Sequence, residues 1–96
     1  MKKFIYLYQG AWEYTDEMKA AWRRWFDAVG DRFVDSGNPF CAGREVTSTG
    51  SADLTPEMSP AVGYSIVGAA DMAEAERLLE GCPIIESVRI YEAAAM

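Results

Sequence analysis

The 96-residue chain contains no histidine. That excludes imidazole as a general acid or base, the Ser-His and Cys-His nucleophile pairs, and most zinc sites. Cysteine is scarce: Cys41 and Cys82 are too few for a disulfide framework. Both are expected as free thiols, which pack as small hydrophobes. No metal and no cofactor is expected. Basic residues never run beyond a pair, Lys2-Lys3 or Arg23-Arg24, and the formal net charge is −6. Nucleic acid requires a positive surface that displaces counterions, and an anionic membrane requires a basic patch, so neither is an expected partner. Long apolar runs are missing as well. Nothing approaches the ~20 residues of a membrane span. The short run after Lys2-Lys3 lacks a small-residue cleavage site of the secretory kind. The expected location is the cytoplasm.

Hydrophobic residues make up 50% of the chain, enough for the core of one domain spanning residues 1–96. Residues 4–9 form an apolar, aromatic run ended by Gly10, which predicts a strand covered on both faces. Thr15 caps a helix, with Asp16 and Glu17 suited to its first turn. Met18, Trp22, Phe26, Val29 and Phe33 recur at steps of four and three, giving one apolar stripe. The pattern predicts a single helix to about Asp35, bent near Gly30, and Ser36-Gly37-Asn38-Pro39 ends it. Residues 44–49 read as a second strand, 50–61 as a long loop, and 62–69 as a third strand in which Gly63 and Gly68 suggest a bulge or a close backbone approach. Asp71 and Glu74 resemble a capping box, followed by an apolar stripe of Met72, Ala75, Leu78, Leu79 and Cys82. Gly81 and Pro83 stop this helix, and 84–92 is the last strand.

The order is therefore βαββαβ. This predicts an α+β domain with both helices on one face of a four-stranded antiparallel sheet. Apolar side chains on the opposite sheet face have no third layer to cover them, so a homodimer is expected.

Several stretches together resemble the YCII-related family, also called DGPF-domain proteins. They are Phe4-Ile5-Tyr6-Leu7-Tyr8-Gln9-Gly10, Trp25-Phe26 with Gly30-Asp31, and the turn Asp35-Ser36-Gly37-Asn38-Pro39-Phe40. Gly63-Tyr64-Ser65-Ile66-Val67 follows, and then Gly81-Cys82-Pro83 before a strand ending Tyr91-Glu92-Ala93. The resemblance covers nearly the whole chain in order. It implies a ferredoxin-like domain that pairs into a dimeric α+β barrel, similar to muconolactone-isomerase-type enzymes, with a ligand cleft between sheet and helices. One subgroup of the family acts as a dehydrochlorinase. The catalytic dyad of such members pairs a histidine near the first strand with the aspartate of an Asp-Gly turn. Asp35 matches that aspartate, but Ser36 interrupts the Asp-Gly pair and no histidine is present.

The candidate site follows from these positions. Asp35 is the candidate base, against an ordinary role as a turn former. Arg44 is placed to bind a carboxylate or to pair with Asp35. Tyr6, Tyr8 and Tyr64 carry hydroxyls that would line a cleft, and Gln9 would hold a polar ligand group. Phe40 is a candidate ligand-binding residue, against an ordinary role in a turn that inserts an aromatic ring into the core. Trp12, Trp22 and Trp25 cannot share one helical stripe, so one of them is expected at the cleft mouth or dimer edge, with Trp22 in the core. The 50–61 loop would act as a lid over the cleft or be a mobile hairpin connection with no role. The expected function is homodimeric binding of a small organic metabolite; were the protein catalytic, its chemistry would be cofactor-free proton transfer or elimination. The alternative is a non-catalytic interaction module beside a regulatory protein.

Overall fold

A computed structural model describes residues 1–11, 14–58 and 60–96. Its strands are β1 (Lys2–Gln9), β2 (Phe33–Asp35), β3 (Arg44–Thr47), β4 (Gly50–Asp53), β5 (Gly63–Ala69) and β6 (Ser87–Ala93). The helices are α1 (Asp16–Val29) and α2 (Met72–Arg77). The protein is α+β. Four strands form an antiparallel sheet in the order β2-β5-β1-β6, while β3 and β4 make a separate two-stranded hairpin. Among the described residues, no helix is long and apolar enough to cross a membrane.

Strand β1 explains its own unbroken apolar run. Phe4, Tyr6 and Tyr8 are buried on one face, and Ile5 and Leu7 are half-buried on the other. Both helices cover the first face. Helix α1 starts where Thr15 Oγ1 accepts the Met18 amide at 3.1 Å, and it buries Trp22, Trp25 and Val29. Helix α2 starts where the Asp71 carboxylate accepts the Glu74 amide at 2.8 Å. The Tyr6 hydroxyl donates to the Ala75 carbonyl, and the Trp25 indole donates to the Leu78 carbonyl at 2.9 Å. These two bonds satisfy polar groups that burial would otherwise leave costly, and they tie α2 to β1 and α1. Arg32 adds a third tie by donating to the Gly68 carbonyl and pairing with Glu74.

Several expectations are corrected. The first helix stops at Val29 rather than near Asp35. Gly30 takes φ 58° and its amide bonds back to the Phe26 carbonyl, a left-handed stop that glycine adopts without a Cβ penalty. One 3-10 turn, Gly30–Arg32, then leads into β2. Phe33 stays in the core cluster as a strand residue. The second strand of the sheet is thus β2. Residues 44–47 pair instead with β4, closed by the Arg44–Asp53 ion pair at 2.8 Å, so this segment satisfies its backbone locally. Strand β5 pairs with β1 without a break, and the bulge lies in β2 between Phe33 and Asp35. Helix α2 ends at Arg77 and leaves Met72 exposed. Phe40 is 45% exposed and is not a core residue. Trp22 and Trp25 are both core, whereas Trp12 lies outside the described residues. Cys41 and Cys82 are free.

The buried phenols make stability depend on alkaline pH. Burial pushes the Tyr6 hydroxyl from 10.0 up to about 12. Burial raises Tyr8 as well, against the opposing effect of its bond to Ser65. Each phenol keeps a proton in the folded chain that the unfolded chain releases from pH 10.0 upward. Their contribution is full below that value and is lost as pH climbs through the folded value. Urea midpoints are expected to fall between pH 10.0 and about 12. A midpoint that stays level across this window would show that these phenols are not shifted.

Candidate functional site

A cavity of about 400 Å³ opens between α1 and residues 36–39, within the size range of small-molecule sites. One wall is Met18, Trp22 and Phe26 of the α1 stripe. Tyr8 is shared between core and cavity: its ring meets Trp22 edge-on, with centroids 5.2 Å apart. The opposite wall is Ser36, Gly37, Asn38 and Pro39, with Tyr64 beside them. Lys19 and Arg23, one helical turn apart on α1, are the charged residues among the described ones that border the opening.

Hydrogen bonds hold the 36–39 wall against the sheet. The Tyr8 hydroxyl donates to Ser65 Oγ at 2.7 Å, and Ser65 Oγ donates to the Ser36 carbonyl at 2.7 Å. Ser65 is fully buried, so this chain satisfies a polar group in the core and anchors the turn to it. Asp35 supports the turn from the other side. One carboxylate oxygen accepts the Gly37 amide at 2.8 Å, and the other accepts the Tyr64 hydroxyl at 2.9 Å. The carboxylate holds the Tyr64 proton and raises its pKa above 10.0. Residues 38–40 continue along the β5 edge: Tyr64 donates to the Asn38 carbonyl, Pro39 bridges Gly63, and Phe40 donates to the Val62 carbonyl. Proline suits such an edge, where a missing N–H breaks no ladder.

The sequence candidates separate into groups. Tyr8 and Tyr64 border the cavity beside α1. Gln9, Phe40 and Arg44 border a second cavity, about 720 Å³, at the foot of the β3–β4 hairpin. Phe40 stacks on Tyr64 with centroids 5.8 Å apart and planes 15° apart. Tyr6 is fully buried, its hydroxyl consumed by Ala75, and it borders neither cavity. Asp35 borders neither cavity. Arg44 pairs with Asp53, which corrects the expected pairing with Asp35. The lid expectation is corrected too. Residues 50–53 form β4, and Leu54, Thr55, Pro56, Pro60 and Ala61 border the second cavity, not the one beside α1.

Sequence reasoning missed Met18 and Phe26 as cavity residues, along with Lys19, Arg23 and Ser36. A stripe at steps of four looks the same whether it covers a sheet or lines a cavity. The usable signal was Lys19 and Arg23, two cations four residues apart beside that stripe. Among the described residues, no cluster of three or more His, Cys, Asp or Glu side chains could hold a metal. Burial pushes the Cys82 thiol from 9.0 up to about 12, so it is a packing group rather than a nucleophile. No protein-family model, curated protein or solved structure matches the chain.

Proposed function

We propose that this protein is a homodimeric small-molecule-binding protein of the YCII type, built on a ferredoxin-like domain. The observation that carries the binding reading is the cavity beside α1. Its apolar walls, formed by Tyr8, Met18, Trp22 and Phe26, converge with a polar, hydrogen-bonded turn. That combination of apolar surface and a few placed polar groups characterises small-molecule sites. Binding is better supported than catalysis. Asp35 spends one oxygen on the Gly37 amide and the other on the Tyr64 hydroxyl, and it does not line the cavity. A ligand-observed NMR screen of aromatic fragments tests the reading. Fragments are expected to bind the native chain and to lose contact in Met18→Trp, which fills the cavity from its wall. Absence of binders, or binders indifferent to Met18→Trp, would overturn it.

The dimer rests on the second face of the sheet. Register places Ile5 beside Ile66 and Tyr91, and Leu7 beside Tyr64 and Arg89, all on the face away from the helices. The molecule measures 42 × 40 × 18 Å, the thickness of one sheet and one helix layer. Pairing two such faces supplies the missing layer and leaves each α1 cavity on the outside. Light scattering at micromolar concentration is expected to give twice the mass of one chain, and Ile66→Lys to give one chain that remains folded. A native chain that runs as a monomer would remove the dimer.

A further inference from the structure

We propose that the ligand of the α1 cavity is an aromatic anion, a flat apolar body carrying one carboxylate or similar charge. This rests on the binding reading above and names the chemical class that the site selects. The walls dictate the body. Trp22 and Phe26 lie with centroids 5.9 Å apart and planes 35° apart, and Trp22 meets Tyr8 at 80°. Between them they present aromatic faces and edges, against which an aromatic ring packs in stacked and edge-on geometries. At about 400 Å³ the space has room for a two-ring system.

Charge dictates the head group. The chain has 15 acidic and 9 basic residues, yet among the described residues those lining this cavity include Lys19 and Arg23 and no Asp or Glu. Of the nine basic side chains, three are partnered: Lys2 with Glu92, Arg32 with Glu74, and Arg44 with Asp53. Among the described residues, neither Lys19 nor Arg23 forms an ion pair. Two unpaired cations at the mouth of an apolar cavity, on a chain of net charge −6, mark a local reversal of field. Their four-residue spacing puts both on one side of α1, so they can share a single anionic group. The long stems pack against apolar surface while the charged ends stay at the opening.

Calorimetric titration with three matched probes tests this: 2-naphthoate, its uncharged amide 2-naphthamide, and 2-naphthylmethylammonium. The anion is expected to bind about tenfold more tightly than the amide, the scale of one or two charge-assisted contacts at a wet opening. The cation is expected to bind most weakly. Added salt should reduce the advantage of the anion, since the contacts are solvent-accessible. The double variant Lys19→Gln with Arg23→Gln keeps helix propensity and should bring the anion to the affinity of the amide. Decanoate, an anion with a flexible chain, is expected to bind more weakly than 2-naphthoate. Equal binding of anion and amide, unchanged in the double variant, would overturn the anion class while leaving the cavity reading intact. Decanoate binding more tightly than 2-naphthoate would overturn the aromatic body. Failure of every probe would overturn this inference together with the binding reading.

Discussion

Replacing Trp25 with Ala is expected to cost about 3–5 kcal/mol, the scale for deleting a buried aromatic. Trp25 is 2% exposed. Its ring meets Trp22 at 5.7 Å, Phe26 at 5.3 Å and Phe33 at 5.5 Å, so it joins α1 to β2. It also contacts Tyr6 and Tyr8 on β1. Alanine removes those contacts together and leaves the Leu78 carbonyl without the indole donor. In a domain whose total stability is roughly 5–15 kcal/mol, this is a large fraction. Trp25→Phe separates the two contributions, because it keeps most of the packing and loses only the hydrogen bond, about 1 kcal/mol. Urea denaturation at fixed protein concentration measures both. Equal losses in the two variants would show that the indole bond, not the packing, dominates.

Gly37→Ala is expected to cost about 2–5 kcal/mol, combining left-handed backbone strain with a forced backbone displacement. Gly37 has φ 80°, and a Cβ there would lie 1.7 Å from the Tyr64 carbonyl oxygen. The contact is with backbone of a central strand, so no side chain can swing away. The 36–39 wall must lift off β5, stretching the Asp35–Gly37 and Ser65–Ser36 bonds. Ligand binding should therefore fall along with stability. Gly30→Ala is the control. Gly30 also has positive φ, 58°, but its Cβ would meet open space, so only backbone strain of about 1–3 kcal/mol remains. Similar losses in the two variants, with binding intact in Gly37→Ala, would show that the turn is not held by this close approach.

The legibility of the chain depends on the range of each interaction. Thr15 and Asp71 cap their helices as the sequence indicates, because a cap involves residues three apart. The aromatic run of β1 announces a central strand, because one face is buried and the other half-buried, and both carry apolar residues. The end of α1 was harder to see. Phe33 fits the helical spacing, but its place in the core is reached from β2, and only the backbone of Gly30 decides between the two. The second strand was misplaced for a related reason. Residues 44–47 have good strand composition, yet their partner is the adjacent β4, not the sheet.

The candidate site shows the same division. Asp35 was visible as a residue of interest from its turn, but its two bonds reach Gly37, next to it in that turn, and Tyr64, across the sheet edge. Arg44 is drawn to Asp53 by a hairpin that composition alone does not reveal. The sequence by itself determined the α+β class, the helix starts, the central strand and the exclusion of histidine chemistry. These follow from composition and short-range spacing, which the chain carries locally. Only the tertiary structure decided which segment edges the sheet, where Asp35 spends its carboxylate, and that one face of α1 overhangs a cavity. Each of those depends on backbone groups and side-chain faces brought together from distant parts of the chain, where periodicity carries no information.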